Sequence, residues 1–250
     1  MNFARLISNL SARFVNIAPE RVDGEIEQSL RQVLEFFRVD RCALLKTLSD
    51  RGAWQVALVA YAEGIPPVPE KTDLPLSLFP WVASQILDRH KVVFFKTPED
   101  LPPEADIDRQ TYHAWGIKSS LTIPILLGGP VDYVLAINAV SHECVWSEDY
   151  VSRLRLLGEV FVNALERRRI YQELQESEAR LSLAADSAGA MLWSLTIDSG
   201  HLWTTEKAKE FFGFEPGSQM DLESFLTIVH PEDREKLRRT VEETMRSTKD

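Results

Sequence analysis

Tyr112, His113 and Trp115 put two aromatic rings and an imidazole within four positions. Such a set can stack a flat ligand or, through the histidine, ligate haem; the same residue types also serve simply to cap an apolar core. The two cysteines, Cys42 and Cys144, form no Cys-x-x-Cys pair and no Cys/His cluster. They therefore support neither a disulfide framework nor a metal site, and a reducing compartment suits them. Cys42 lies near the start of a predicted strand and reads as a small buried hydrophobe, whereas Cys144 falls in a turn and is expected to be more exposed. His230-Pro231-Glu232-Asp233 reads as a helix start, with proline at the first position and acids in the first turn. The chain carries no P-loop, no paired-glycine box and no lysine in a phosphate-cradling context. No catalytic residue and no cofactor is assigned on these grounds.

The elements that must position these residues come from a chain of 250 residues, with 28 Lys+Arg against 38 Asp+Glu and a net charge of −10. At about 100–200 residues per domain, that length allows one large domain or two small ones. The 44% apolar and 26% charged content is that of a soluble globular protein able to bury its own core. The acidic balance argues against nucleic acid or an anionic membrane as partner, but leaves room for a small anionic ligand in a local pocket. The N-terminus MNFARLISNLSARFVNIAPE has Arg5 and Arg13 among its apolar positions and is no signal peptide. The most apolar stretch, 121–140, is interrupted by Pro124, Gly128, Gly129, Pro130 and Asp132, so no membrane span is expected. The reading is of a cytoplasmic protein, or the cytoplasmic piece of a larger one.

Phe3, Ile7, Leu10, Phe14 and Ile17 alternate at steps of four and three. The spacing predicts a helix over 1–18, either packed on its own domain or presenting a dimer seam. Val22, Ile26, Leu30, Val33 and Phe37 predict a second helix with one core-facing side. The period then changes: 41–48 and 54–62 read as strands around Ser49-Asp50-Arg51-Gly52. A proline-rich loop, a helix over 79–89, a strand over 92–96, a loop over 98–105 and a short helix over 107–115 follow. Strands over 121–127 and 133–140 are joined by Gly128-Gly129-Pro130. From Ser147, an N-cap, a helical pattern runs to about Ala185 with Gly158 as its one weak point; that is a rod of roughly 55–60 Å. Its first half is core-like, and its second keeps only Ile170, Leu174 and Leu181 amid charge, which marks a connector leaving its domain. Beyond it, strands over 191–197 and 201–204 flank Asp198-Ser199-Gly200, a hairpin signal. Short helices over 206–212 and 222–229 and a last helix from Pro231 complete the chain.

Residues 20–168, in the order helix, two strands, helix, strand, loop with short helix, two strands and exit helix, resemble a GAF domain. The resemblance is carried by Gly116-Ile117-Lys118-Ser119-Ser120-Leu121-Thr122-Ile123-Pro124-Ile125, then Trp146 and Leu154-Arg155-Leu156-Leu157-Gly158-Glu159. Glu173-Leu174-Gln175-Glu176-Ser177-Glu178-Ala179-Arg180-Leu181 is similar to a linker that leads into PAS domains. Leu192-Trp193, Asp198-Ser199-Gly200, Trp203, Phe212-Gly213-Phe214 and His230-Pro231-Glu232-Asp233-Arg234 are similar to the first half of such a domain. The expected fold class is α+β: a GAF-like antiparallel sheet flanked by helices (20–168), a connector helix (169–186), and an incomplete PAS-like segment (187–250). In such a domain Tyr112, His113 and Trp115 fall where the fold closes over a ligand.

The order implies the sensory and relay region of a bacterial two-component sensor histidine kinase. The implied partners are a second copy in a parallel homodimer, a small-molecule ligand, and a kinase domain downstream in the parent chain. A dimerisation module of a cyclic-dinucleotide enzyme or transcription regulator is the alternative, and a methionine sulfoxide reductase-like GAF protein a minor enzymatic one. The latter uses clustered cysteines, and here two lie on separate elements. Nor does Cys144 have the helical Cys-His context that attaches bilins. The family's cyclic-nucleotide signature joins Asn-Lys to an aromatic and Asp-Glu; here the residues are Asn138-Ala139, Trp146 and Glu148-Asp149, without the lysine. Ser141-His142-Glu143 is similar to a phospho-acceptor box, but Cys144-Val145-Trp146 follow at a strand end, so no phosphorylation is expected there.

Overall fold

Alternating side chains and a Gly52 turn at φ 57° fold Arg41–Leu48 (β1) against Ala53–Tyr61 (β2), as the sequence pattern predicts. This computed structural model describes residues 3–65, 73–188, 190–196, 201–215, 217–218 and 220–247. The chain divides into two compact units, Met1–Tyr171 and Gln172–Asp250.

In the first unit, Val131–Ala139 (β6) pairs with β1, Ser119–Leu126 (β5) with β6, and Val93–Phe95 (β4) with β5. Within the proline-rich stretch, whose composition predicts a loop, Asp73–Pro75 (β3) forms a strand that pairs with β2. The resulting antiparallel order is β3-β2-β1-β6-β5-β4. Pro75 is tolerated because β3 is an edge, where a missing N–H breaks no ladder. Pro66, Pro67 and Pro69 lie outside the described residues. The 98–105 loop contains two 3-10 turns, Pro98–Asp100 and Pro103–Ala105.

The sheet has helices on both faces. Cys42, Leu44, Leu121, Ile123, Ile125 and Ile137 form one core with helices Phe3–Arg13 (α1), Val22–Phe37 (α2) and the first part of Glu148–Ala188 (α5). Leu45, Trp54, Val56, Val134 and Ala136 form a second core beneath Pro80–Ala83 (α3), its π-type continuation Ser84–Asp88, and Asp106–Ala114 (α4). The register shift at Leu44/Leu45 leaves Ala57 as an extra residue in β2, so the consecutive residues Ala57 and Leu58 both pack against the first core. Of the two roles open to the N-terminal heptad seam, this chain uses the intramolecular one: Ile7, Leu10 and Phe14 are buried in the first core. Phe14 packs on Phe161 of α5, with ring centroids 5.3 Å apart.

Gly158, the weak point of the long helix by propensity, is where α5 approaches β5. A Cβ there would collide with Ile125 Cδ1 and lie 3.0 Å from its Cγ1, and Ile125 is itself buried. Gly158→Ala gains about 1 kcal/mol of helix propensity against about 1–3 kcal/mol of overpacking, so a net loss near 1 kcal/mol is expected. Ile125→Val removes the methyl that collides. In a double-mutant cycle by urea denaturation, Gly158→Ala should therefore be stabilising in the Ile125→Val background. Simple additivity would refute the close approach.

The second unit begins within α5 and carries a three-stranded sheet, Trp193–Thr196 (β7), His201–Thr204 (β8) and Met220–Asp221 (β9), in that order. Only two strands were predicted; β9 is two residues long and leaves no periodic trace. The expected Asp198-Ser199-Gly200 turn and Ile197 lie outside the described residues. Helices Glu206–Phe212 (α6), Leu222–Ile228 (α7) and Pro231–Ser247 (α8) agree with the pattern. Asp221 caps α7, accepting Ser224 N–H at 2.7 Å. The helix-start reading of His230-Pro231-Glu232-Asp233 holds. Arg234 donates to Val229 O at 2.8 Å and Thr227 O at 2.7 Å, satisfying carbonyls at the end of α7. No described helix is long and apolar enough to cross a membrane.

Candidate ligand-binding cavity

Strand alternation aims Arg41, Ala43 and Leu45 of β1 to one face of the sheet, and these residues line a cavity of about 70 Å³ under α3 and α4. Trp54 and Tyr61 of β2, Ser120 and Thr122 of β5, and Asn138 of β6 complete its floor. Arg41 is directly paired with both Tyr61 and Asn138, so β1, β2 and β6 bring these three polar residues together at one end. Ser120 Oγ donates to Asn138 Oδ1 at 2.8 Å, with the amide orientation assigned from this bond.

Phe79, Tyr112 and Trp115 line the roof. Phe79 lies 5.1 Å from the Tyr112 ring and 5.3 Å, edge on, from Trp115. Burial pushes the Tyr112 phenol up, as does the charge of Asp108, while Ser120 and Thr122 hydroxyls hydrogen-bond to it and oppose the rise. The phenol is neutral at physiological pH and can only share hydrogen bonds.

The roof is stitched together by Asp108, buried on α4, whose carboxylate accepts Trp81 N–H at 3.1 Å and Val82 N–H at 2.9 Å. Thr111 Oγ1 donates to Leu78 O at 2.8 Å. Burial raises the Asp108 pKa, against the opposing pull of those backbone N–H groups.

Of the three residues singled out on this helix, Tyr112 and Trp115 face the cavity. His113 does not: it pairs with Glu99 at 2.9 Å on the outer side, in a separate surface cleft with Lys118 and Glu143. One residue is 100° of helix, so 112 and 115 share a side that 113 leaves. The expectation that His113 could ligate haem in this cavity is corrected by that rotation.

The other sequence candidates also separate. Asn138 of the incomplete cyclic-nucleotide signature lines the cavity, whereas Trp146 sits in the core on the other face of the sheet and Glu148 and Asp149 begin α5. Neither cysteine lines the cavity: Cys42 is fully buried in the α1/α2/α5 core, where burial pushes its thiol up, and Cys144 packs against that same core.

Ser141-His142-Glu143 lies in the loop after β6, not on a helix. Ser141 Oγ lies 2.9 Å from Asp40 Oδ2 and 3.0 Å from His142 Nδ1. A Ser-His-Asp relay needs the imidazole between the hydroxyl and the carboxylate; here the serine is in the middle. Asp40 instead clamps backbone, accepting Val140 N–H at 2.5 Å and Ser141 N–H at 2.8 Å. Burial alone would raise its pKa, but bonds from Ser141 and Val140 and the charge of His142 outweigh that and hold it low.

Arg41, Trp54, Tyr61 and Phe79 were not singled out from the sequence. The alternation within β1 and β2 placed Arg41 with Ala43 and Leu45, a usable signal; which strand face lies under the roof was not encoded locally.

The GAF domain profile matches residues 23–165. No curated protein matches the chain. Among solved structures, the chain is similar to the phycoerythrobilin-bound GAF domain of a cyanobacterial phytochrome, with 18% identity, 69% of this chain and 98% of that one covered, and a TM-score of 0.56. It is also similar to the GAF domain of an Acinetobacter phosphoenolpyruvate-protein phosphotransferase, with 15% identity, coverage of 68% and 97%, and a TM-score of 0.51. A free methionine-R-sulfoxide reductase from Neisseria meningitidis gives 14%, 68% and 91%, and 0.53. Identities this low establish the shared fold alone.

Proposed function

The chain belongs to the GAF domain family, and from that premise we propose that it is the sensory and relay region of a sensor histidine kinase, with the cavity as its ligand site. The observation that carries this reading is the two-sided role of β5. Ser120 and Thr122 line the cavity, while Leu121, Ile123 and Ile125 lie in the core that includes α5, and Gly158 of α5 abuts Ile125. A ligand that shifts β5 therefore shifts what α5 packs against, and a helix with two comparably stable packings relays the change along its length. Tyr112 and Trp115 are proposed ligand contacts. Residues 187–250 are proposed to be PAS-like and to receive the signal.

The bilin and sulfoxide chemistries of the structural neighbours do not transfer. Neither cysteine lines the cavity, and about 70 Å³ is too little for a linear tetrapyrrole. At roughly 10–15 Å³ per accommodated water, it corresponds to about five waters, or one six-membered ring.

The parallel homodimer is proposed to form along α5, since Ile170, Leu174 and Leu181 are 58%, 56% and 52% exposed and recur at heptad-compatible spacing. Light scattering at tens of micromolar should give a dimer, and Leu174→Glu with Leu181→Glu a monomer. A wild-type monomer would count against the relay. The kinase assignment is tested by the gene sequence after Asp250: a histidine-bearing dimerisation helix followed by ATP-binding boxes is expected, and a GGDEF-type or DNA-binding output would replace it.

A further inference from the structure

The side of α5 turned away from the first core carries a heptad pattern. Leu156, Asn163, Ile170 and Ser177 recur at every seventh position, and Val160, Arg167, Leu174 and Leu181 follow them at steps of four. These are the a and d positions of a single register. At 100° per residue they form a stripe about 100° wide, opposite Leu154, Phe161 and Leu165, which are buried in the first core. Leu156 is 56% exposed, so the stripe begins two heptads before Ile170, well inside the first unit. Its four heptads reach the length at which such a pattern marks a coiled-coil seam.

Two polar residues interrupt the middle of the stripe, and they differ. The Arg167 guanidinium is drawn sideways to Phe14 O at 2.6 Å and Val15 O at 3.1 Å. Its alkyl stem stays on the stripe, and Val15, 64% exposed, is held at the edge. The Asn163 amide remains on the stripe. Its Nδ2 donates to Glu159 O one turn back, at 2.9 Å, and its Oδ1 has no partner among the described residues. A lone amide at one a position is matched by the same amide of an identical helix in register, whereas a shift of one heptad sets it against Leu156 or Ile170. The stripe is therefore complementary to itself, which selects a second copy of this chain over an unrelated helix.

Resting on the homodimer reading above, we propose that the dimer seam runs along α5 into the first unit as far as Leu156, and that Asn163, paired with its counterpart in the second copy, fixes a parallel, in-register alignment. The turns of α5 that meet β5 through Gly158 then meet the second copy through Leu156 and Val160. A shift of β5 reaches the paired helices at the level where it arises.

The test combines sedimentation equilibrium with oxidative cross-linking of the full 250-residue chain, in a Cys144→Ser background with Ser177→Cys as reporter; Cys42 is buried and stays silent. Parallel register brings the two reporter positions to disulfide distance, whereas an antiparallel pair centred on Asn163 separates them by about 42 Å. A dimer that cross-links efficiently in air is expected. Leu156→Glu should weaken dimerisation at least about tenfold. Asn163→Leu should tighten association, since an amide in the seam is destabilising, and should abolish its uniqueness, giving larger oligomers or at least about a twofold fall in cross-linked dimer. Leu156 and Asn163 are both exposed, and circular dichroism checks that each variant keeps its fold. A dimer that does not cross-link would overturn the parallel alignment. Unchanged dimerisation of Leu156→Glu, or a single cross-linked dimer from Asn163→Leu, would overturn this inference while leaving the Leu174 and Leu181 contact in place. A wild-type monomer at tens of micromolar would overturn both.

Discussion

Asp40→Ala is expected to lower the stability of the first unit by about 2 kcal/mol, since it removes the acceptor of two part-buried N–H groups at about 1 kcal/mol each. The donors are Val140 and Ser141 N–H, and the Ser141 hydroxyl loses the same partner. Backbone bonds through this residue hold three strands together: Asp40 N–H donates to Asn138 O at 3.0 Å and Ala62 N–H to Asp40 O at 2.9 Å. Against domain stabilities of about 5–15 kcal/mol, the loss is large. Urea titration followed by tryptophan fluorescence would measure it, with Trp54, Trp81, Trp115 and Trp146 all in this unit. The effect has a pH signature. The Asp40 carboxyl is held below its ordinary value of 3.8, so its contribution is complete above that value and is lost as pH falls through the lower folded value. The gap between wild type and Asp40→Ala should therefore narrow below about pH 4. A gap that stays constant to pH 2, or a loss under about 0.5 kcal/mol, would show that the clamp does not hold the strand ends.

Amide exchange should divide the chain at about the middle of α5. Residues 20–168 are expected to be protected about 100-fold more strongly than residues 190–247, a difference of about 2.7 kcal/mol in local opening. The first unit has a six-stranded sheet covered on both faces. The second has strands of four, four and two residues, and short strands in a small sheet are marginal. Its apolar surface is poorly covered: Trp193 and Phe211 are each 70% exposed. β7 is an edge strand, so the same segment offers a pairing site. Exchange mass spectrometry at several concentrations reads both properties. Equal protection in the two regions would overturn the expectation, and protection rising with concentration would assign the missing cover to a second chain.

Local chemistry determined most of the elements. Periods of two and 3.6, the Gly52 turn, the Ser147 cap and Pro231 placed the main strands and helices of both units within a few residues, because each signal acts within one or two turns of chain. β3 and β9 escaped because strands of three and two residues contain too few side chains to show a period; they exist only through partners on β2 and β8. The heptad spacing of α1 was compatible with a partner helix from any source, and only packing assigned Ile7, Leu10 and Phe14 to the chain's own α2 and α5. Gly158 looked like a flaw in a long helix until the approach of Ile125 showed why a side chain is excluded there. The cavity divides in the same way. Tyr112 and Trp115 could be named from the sequence, and one residue of helical rotation removed His113 between them. Arg41, Trp54 and Asn138 sit on three strands, separated by up to about a hundred positions in sequence, and what joins them is strand register. Register is set by pairing between distant segments, so it is a property of the folded sheet and of no single stretch of residues.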